Sequence, residues 1–263
     1  MTQQKRLNAV LELVTERGNV SVAEVRDALR VSLATARRDL TTLAGQRLVT
    51  RTHGGASALG ASYELPLQYK IAGQADAKLA IAAAAAELVS PGEVVGLNGG
   101  TTTTEVARTL ARSERFVRDD GDYGLTIVTN ALNIAYELSV RPQVKIAVTG
   151  GVVRRQSFEL VGPLDATNLG SVAIDVAILG VDGVSGPFGV TTIHESEAVI
   201  SRGFAGAANR TIVVADATKM GRSTFARIFP LAQLDLLVTD AAPPPELAAE
   251  LRSADVEIVI AGR

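Results

Sequence analysis

Apolar residues near the start of the chain recur at the spacing of one face of a helix. The first set, at positions i, i+3, i+4 and i+7, comprises Leu7, Val10, Leu11 and Val14. This spacing predicts an amphipathic helix over residues 6–17, which Gly18 ends. A second short helix is predicted because Ser21 and Glu24 have the spacing of a capping box. Its inward-facing residues are expected to be Val22, Val25, Ala28 and Leu29.

A third helix is predicted after a turn at Val31 and Ser32. The Ser32 hydroxyl can accept hydrogen bonds from the free N–H groups of a first helical turn, and the helix is expected to run to about Leu43. Its apolar stripe is expected to comprise Leu33, Ala36, Leu40 and Leu43, and its other faces carry Ala34, Thr35, Arg37 and Arg38. Small residues beside two arginines suit a helix that enters a DNA major groove. The alternative is that Arg37 and Arg38 are only solvated charges on an exposed helix face.

Residues 48–52 alternate in polarity before Gly54 and Gly55, and this pattern predicts a small β-hairpin. Three short helices, a tight turn and a hairpin together describe a winged helix-turn-helix. His53 lies in the predicted wing. It could contact a DNA phosphate, although a single histidine on a loop is more often a structural or solvent-exposed residue.

Later in the chain, short apolar runs alternate with helical segments. The predicted strands are 93–97, 126–129, 144–149, 172–179, 211–215, 236–239 and 257–260, and the predicted helices are 102–112 and 131–140. The apolar stretch 80–89 is too short to span a bilayer and is interpreted as a buried, alanine-rich helix. Because the strands lack polar alternation, both faces of their sheet are expected to be covered, as in a doubly wound α/β fold.

Length and composition indicate two domains in the 263 residues. We expect a DNA-binding domain over 1–56, a linker over 57–68 punctuated by Gly60 and Pro66, and an α/β domain over 69–263. The chain has no cysteine, which excludes disulfides, Cys-based zinc sites and thiol nucleophiles. No metal or cofactor is expected. The N-terminal residues lead into an amphipathic helix rather than a signal peptide, so a cytoplasmic protein is expected.

Charge is divided unevenly between the two predicted domains. Residues 1–58 hold nine Lys or Arg against five Asp or Glu, about +4, whereas the remainder holds 17 against 23, about −6. A basic segment can neutralise DNA phosphates, and the release of condensed counterions then favours binding. The charge distribution therefore supports double-stranded DNA as the partner of the first domain.

Polar residues follow several of the predicted strands at their carboxyl ends. Asn98, Gly99, Gly100, Thr101 and Thr102 come directly after the first of these strands and open a helix. Two glycines allow close approach of an anion, and the helix N-terminus supplies N–H donors beside threonine hydroxyls. The alternative is a tight turn with a threonine cap.

Repetition of this pattern favours a binding site. Residues of the same kind after later strands are Thr129, Asn130, Thr149, Gly150, Gly151, Asp182 and Lys219. Carboxyl ends of parallel strands meet at one edge of a sheet, so several of these residues are expected to converge on one crevice. Such a cavity suits a small phosphorylated polyol, because it offers donors for phosphate and both donors and acceptors for hydroxyls.

The N-terminal motifs resemble the DNA-binding domain of the DeoR family of bacterial sugar-metabolism repressors. The matching residues are Val31-Ser32, Thr35, Arg37-Arg38-Asp39-Leu40, Leu43 and, in the wing, Arg51-Thr52-His53-Gly54-Gly55-Ala56. The resemblance implies base reading by the second helix of the motif and backbone contact by the wing. The candidate DNA-binding residues are Ser32, Ala34, Thr35, Arg37, Arg38, Arg51, His53 and Gly54.

The resemblance extends over nearly the whole chain. The motifs are GGTT at 99–102, TN at 129–130, TGG at 149–151, GVDG at 180–183, GVTT at 189–192, D-x-x-K-x-G at 216–221 and TD at 239–240. Their order is similar to the DeoR-type effector domain, which is related to ribose-5-phosphate isomerase and acyl-CoA transferase folds. The candidate effector-binding residues are Asn98, Gly99, Gly100, Thr101, Thr102, Thr129, Asn130, Thr149, Gly150, Gly151, Asp182, Glu197 and Lys219.

Four positions depart from the family pattern. In the first domain, Leu33 replaces a common acidic residue and Ala36 a larger aliphatic one. In the second, Asn98 stands where the family usually has Asp, and Ser201 where it usually has Lys. The last two changes remove one charge of each sign, so the effector should not be inferred from any one relative.

Two hypotheses for the function follow. In the first, the chain is a DNA-binding regulator, by resemblance a repressor, and a phosphorylated sugar bound in the second domain controls its DNA affinity. In the second, the domain retains isomerase-like catalysis, with Asp182 or Glu197 as general base and Lys219 as electrophilic partner. The first is favoured because fold kinship does not transfer activity and a DNA-binding domain is fused. A homodimer or homotetramer on double-stranded operator DNA, with no membrane partner, is expected.

Overall fold

The structure is a computed structural model that describes residues 2–46, 48–59, 67, 74–162 and 169–262. It divides into two compact units, Met1–Gly73 and Gln74–Arg263, which we call the head and the body. None of the helices in the described ranges is both long and apolar enough to cross a membrane.

The head contains three helices and a three-stranded antiparallel sheet. The helices are α1 (Gln3–Arg17), α2 (Val22–Leu29) and α3 (Leu33–Gly45), and the strands are β1 (Asn19–Ser21), β2 (Val49–Arg51) and β3 (Gly55–Ala58). The strands pair in the order β1-β3-β2. The predicted winged helix-turn-helix is confirmed.

The helix ends in the head are fixed by the predicted residues. The Glu24 backbone N–H donates to Ser21 Oγ at 3.1 Å, and the Ser21 backbone N–H donates to Glu24 Oε2 at 2.7 Å, which completes the capping box. The Thr35 N–H donates to Ser32 Oγ at 3.1 Å and caps α3. Gly18 ends α1 with a φ of 74°, which glycine adopts without strain.

The head has its own hydrophobic core. Its buried residues are Leu7, Val10, Leu11, Val14, Val20, Val22, Val25, Ala36, Leu40, Leu43, Leu48, Val49 and Ala56. Two predicted core positions are wrong. Leu33 is 42% exposed because it is the first residue of α3, at the end of the packed stripe. Ala28 is exposed because, at about 100° per residue, it lies outside the row formed by the other apolar residues of α2.

The wing extends further than the predicted first domain. Strand β3 runs to Ala58, two positions beyond the predicted end at residue 56, because it pairs with both β1 and β2. The Ala58 N–H also donates to the Gly18 carbonyl at 2.7 Å. Most of the predicted linker, residues 60–66 and 68, lies outside the described residues.

The body is built on a seven-stranded sheet in the order β15-β14-β12-β9-β4-β5-β6, in which all pairs are parallel. Its strands are β4 (Val94–Leu97), β5 (Leu125–Thr129), β6 (Val144–Val148), β9 (Ile174–Gly180), β12 (Ala208–Val214), β14 (Leu236–Thr239) and β15 (Glu257–Ile260). The chain runs outward from β4 to β6 and then returns to the other side of β4 as β9. This reversal makes the gap between β4 and β9 the topological switch point, where ligands bind in such sheets.

Helices cover both faces of this sheet. They are α4 (Ala75–Glu87), α5 (Thr101–Arg112), α6 (Leu132–Leu138), α7 (Glu195–Ala207) and α8 (Pro245–Ser253). One core cluster joins the sheet to α4, α5 and α6, and a second joins it to α7 and α8. The predicted doubly wound α/β fold is confirmed. The predicted alanine-rich helix is α4, which begins at Ala75 and buries Ile81, Ala82, Ala85 and Ala86.

Several elements were not predicted. They are a hairpin of β7 (Val152–Arg154) and β8 (Glu159–Val161), a small antiparallel sheet of β10 (Gly183–Ser185), β11 (Gly189–Thr192) and β13 (Ala226–Phe229), and the helices α7 and α8. The strands among them are three or four residues long, too short to show a period. The hairpin β7–β8 places Glu159 beside the turn that follows β4.

Candidate functional site

The exposed face of α3 is the candidate DNA-binding surface. Ala34, Arg37, Arg38 and Thr41 lie at helical spacing and are all exposed. Thr41, which the sequence did not single out, completes this face. Ser32 and Thr35 lie at its start, with their hydroxyl oxygens 2.9 Å apart, so both serve first to cap the helix.

The two arginines of this face differ from Arg6, Arg17 and Arg26 of the head, each of which lies within ion-pair distance of a carboxylate. Among the described residues neither Arg37 nor Arg38 has a carboxylate within ion-pair distance. By contrast, Arg6 donates to both oxygens of the fully buried Asp39, at 2.5 and 3.1 Å, and thereby joins α1 to α3. Both guanidinium groups of the exposed face are therefore available to phosphates or base edges.

The wing is shaped by close backbone contacts. A Cβ on Gly55 would lie 1.8 Å from the Val20 carbonyl oxygen, so only glycine fits at this position. Arg51 Nη1 donates to the Gly55 carbonyl, which folds this predicted DNA-contacting side chain back onto the wing. His53 and Gly54 are exposed at the turn.

In the body, Asn98 joins the two strands of the switch point. Its Oδ1 accepts from the Gly180 N–H at 2.8 Å, and its Nδ2 donates to the Gly180 carbonyl at 2.9 Å. Nδ2 also donates to Ser201 Oγ on α7 at 3.1 Å. The structure thus gives the Asn98 amide protein partners on both of its atoms and makes it the link between β4, β9 and α7.

The glycine turn after β4 contacts a side chain that the sequence did not predict. The Gly99 N–H donates to Glu159 Oε1 at 2.6 Å. A Cβ on Gly99 would lie 2.3 to 2.6 Å from three atoms of the Glu159 side chain, so this carboxyl fills the space beside the turn. Gly100 follows with a φ of 133°, and the hydroxyls of Thr103 and Thr104 donate to its carbonyl at 3.2 and 2.6 Å.

A continuous polar network connects this turn to Lys219. The Glu159 carboxyl is next to the Glu197 carboxyl, and Arg154 Nη1 donates to Glu197 Oε1 at 3.1 Å. Thr192 Oγ1 lies 3.3 Å from Glu197 Oε2 and 3.0 Å from Asp182 Oδ2, and it can donate to one of them at a time. The network joins three of the predicted residues, Asp182, Glu197 and Lys219, because Lys219 Nζ lies 3.8 Å from Asp182 Oδ1.

Burial changes the acidity of this network. Glu159 is 3% exposed, and its burial raises its pKa well above the ordinary value of a glutamate. The neighbouring Glu197 raises that pKa further, whereas the hydrogen bonds from the Gly99 N–H and from Ser157 lower it. Two adjacent carboxylates repel, so the neutral form of Glu159 is favoured beside Glu197.

The other predicted residues fasten the hairpin that carries Glu159. The Leu160 N–H donates to the Asn130 carbonyl at 2.7 Å, and Asn130 Nδ2 donates to the Leu160 carbonyl at 3.1 Å. Thr129 Oγ1 accepts from the Ala131 N–H at 3.0 Å, and a Cβ on Gly151 would lie 2.9 Å from Val161 atoms of β8. These residues therefore position β8. Gly150, with a φ of 97°, completes the turn after the buried Thr149.

Glu159, Arg154 and Thr192 are the site residues that sequence reasoning missed. Thr192 belongs to the GVTT motif, and this motif could have identified it as a site residue. Glu159 is a single acid in an apolar stretch, and Arg154 lies in an exposed strand, so neither had a recognisable spacing. No group of three or more metal-ligating side chains is found in the described ranges.

A winged helix-turn-helix joined to a doubly wound body is the architecture of a DNA-binding regulator. The family model of the DeoR-like helix-turn-helix domain matches residues 6–60, and that of the DeoR C terminal sensor domain matches residues 73–241. The chain belongs to the DeoR family.

Two relatives are similar over almost their whole lengths. The uncharacterized HTH-type transcriptional regulator YgbI of Escherichia coli K12 is 35% identical, with 99% of each chain covered. The glycerol-3-phosphate regulon repressor of the same strain is 30% identical, with 98% of this chain and 99% of that protein covered. Such relatives are named as regulators and repressors, so the chain is a regulator and the isomerase alternative is set aside.

The solved structures similar to this chain include ribose 5 phosphate isomerase A from Neisseria gonorrhoeae. The two are 18% identical, with a TM-score of 0.39, over 54% of this chain and 52% of that one. This distant likeness says nothing about activity.

Proposed function

We propose that the chain is the repressor of a carbohydrate-metabolism operon, and that a phosphorylated sugar or polyol bound in the body controls its DNA affinity. The single observation that carries the DNA-binding part is the face of α3 with Arg37 and Arg38 exposed and without ion-pair partners in the described ranges. The names of the relatives support repression, and one of them is a glycerol-3-phosphate regulon repressor.

The first turn of α5 is the proposed phosphate site. Among the described residues no side chain caps this turn. Its N–H groups are therefore available donors, and the helix dipole favours an anion there. Thr101 is half-buried at the first position of the helix and adds a hydroxyl.

The polar network provides groups for the rest of such a ligand. Lys219 and Arg154 are cationic, and Asp182, Glu197 and Thr192 offer acceptors and a donor for hydroxyls. Both kinds of group lie at the carboxyl edge of the sheet near the switch point, where ligands of open α/β sheets bind. A polyol phosphate matches this chemistry better than an apolar ligand.

Thermal unfolding of the full chain tests the effector proposal. A panel of pentose, hexose and triose phosphates is compared with the same sugars without phosphate. A ligand at 100 times its dissociation constant stabilises the folded state by about 2.7 kcal/mol. Stabilisation by a phosphorylated sugar, with loss of operator binding at the same concentration, is expected. Equal stabilisation by the unphosphorylated sugar would contradict a phosphate site.

We further propose a homodimer or homotetramer, because a single head reads only a few base pairs and such operators are symmetric or repeated. Sedimentation of the chain with and without operator DNA measures this. A monomer on DNA would contradict it.

A further inference from the structure

Glu159 occupies a donor that the glycine turn would offer to an anion. Its Oε1 accepts the Gly99 N–H at 2.6 Å, a short hydrogen bond. Its carboxyl atoms stand within 2.6 Å of where a Cβ on Gly99 would be, so no second group fits beside the turn while Glu159 is there. Anion binding at this donor therefore requires the carboxyl to move.

The Glu159 carboxyl is held by a backbone amide and lies beside a second carboxyl, that of Glu197. The Glu197 carboxylate is the one that Arg154 binds at 3.1 Å. The attachment of Glu159 to the turn is thus a hydrogen bond from a backbone amide, which costs far less to exchange than a buried ion pair.

The element that carries Glu159 is thin and partly exposed. The hairpin β7–β8 is a separate two-stranded sheet, and on β7 Val152 and Val153 are 63% and 46% exposed. Hydrogen bonds between Asn130 and Leu160 and from the Leu132 N–H to the Phe158 carbonyl join β8 to the rest of the body, whereas β7 is the exposed strand. A two-stranded hairpin of this kind is weakly stabilised by itself, so its strands can shift together with the Glu159 carboxyl.

We propose that Glu159 sets the affinity of the body for anions, by competing with the effector phosphate for the Gly99 N–H. This inference rests on the proposed function, since it places the phosphate at the glycine turn. An anionic effector group replaces the carboxyl at Gly99, whereas an unphosphorylated sugar leaves it in place. Glu159 is thus a specificity-determining residue of the effector site.

Two substitutions separate occupation of the donor from charge. Glu159→Ala removes the competitor and leaves the Gly99 N–H open. Glu159→Gln keeps an oxygen for Gly99 and a donor for Glu197, and so reproduces the protonated carboxyl. Glu246→Ala, at an exposed site on α8, controls for the loss of a negative charge.

Calorimetric titration of the full chain with inorganic phosphate is the test. We expect Glu159→Ala to bind phosphate about tenfold more tightly than the wild type, and Glu159→Gln and Glu246→Ala to stay within about threefold of it. If the wild type binds phosphate and Glu159→Ala binds it equally or more weakly, the inference is overturned but the proposed function is not. Absence of phosphate binding in all four proteins would overturn it together with the proposed function.

A crystal structure of the wild-type chain with phosphate provides a test that does not depend on folding of the alanine variant. We expect a phosphate oxygen about 3 Å from the Gly99 nitrogen, with the Glu159 carboxyl displaced. Phosphate bound elsewhere, with Glu159 still on the Gly99 N–H, would overturn the inference.

Discussion

Asn98 Nδ2 donates a hydrogen bond to Ser201 Oγ across 3.1 Å. These residues stand at the two body positions where the chain departs from the family pattern of Asp and Lys. Because the two positions are in contact, the departures amount to one exchange, in which a charge of each sign is replaced by a neutral hydrogen-bonded pair. The local net charge is unchanged, and Asn98 keeps its two bonds to Gly180.

Asn98→Asp should destabilise the body, because a carboxylate cannot donate to the Gly180 carbonyl or to Ser201. We expect a loss of about 1–3 kcal/mol in the free energy of unfolding, measured by urea denaturation. Adding Ser201→Lys should restore part of it, since the lysine supplies the missing opposite charge. Ser201→Lys alone completes the double-mutant cycle, and additive effects of the two substitutions would contradict the coupling.

Arg37→Ala or Arg38→Ala should weaken operator binding by about 1–3 kcal/mol if the side chain reads a base edge, with less dependence on sequence if it contacts phosphate only. Fluorescence anisotropy with operator and scrambled duplexes distinguishes the two. Arg252→Ala, at an exposed position of α8 in the body, is the control. Unchanged binding by both variants would rule out α3 as the recognition helix.

Thr101→Val should abolish the response to the effector while leaving operator binding intact, because it removes a proposed phosphate donor from the body and changes nothing in the head. Operator release is measured against effector concentration. Thr109→Val on the same helix removes a hydroxyl that donates to the Glu105 carbonyl at 2.8 Å and serves as the control. Release by Thr101→Val at the wild-type concentration would contradict the proposed phosphate turn.

Stability of the body should fall as pH rises above the ordinary pKa of a glutamate. The pKa of Glu159 is raised in the folded state by burial and by Glu197, so the folded chain holds this proton more tightly than the unfolded chain. The stabilisation is complete below the unfolded pKa and is lost as pH rises toward the folded one. The hydrogen bonds from the Gly99 N–H and from Ser157, which lower the pKa of Glu159, moderate the effect. The free energy of unfolding, measured by urea denaturation across this pH range, should fall less steeply with pH for Glu159→Gln than for the wild type. Equal pH dependences of the two proteins would refute the raised pKa of Glu159.

Gly55→Ala should destabilise the head, because the added Cβ would meet the Val20 carbonyl oxygen at 1.8 Å. Overpacking of this kind costs about 1–3 kcal/mol or more. Gly54→Ala is the matched control, since nothing lies within 4 Å of a Cβ at the adjacent position. It should change stability by about 0.5 kcal/mol at most. Thermal unfolding of the full chain measures both, and equal melting temperatures would show that the wing can shift.

Local patterns were sufficient for the head. Helical spacing, the Ser21 and Ser32 caps and the Gly18 stop are local signals, and both caps and the stop are found where the sequence placed them, although α1 begins at Gln3, three residues before its predicted start. The two wrong core positions, Ala28 and Leu33, show the limit of this reasoning. Periodicity identifies a face of a helix, whereas the neighbouring elements decide how far the core extends along it.

In the body the sequence determined the strands of the seven-stranded sheet, their parallel α/β arrangement and the glycine turn after β4, because buried apolar runs and turn residues are local signals. Only the tertiary structure decided what contacts that turn. Glu159 lies 60 positions from Gly99, and Ser201 lies 103 positions from Asn98. These contacts depend on the return of the chain from β6 to β9 and on β8, a three-residue strand that is too short to show a periodic pattern of apolar residues. A single sequence carries no local signal for pairings over such distances, so the carboxyl beside the turn could be found only in the folded chain.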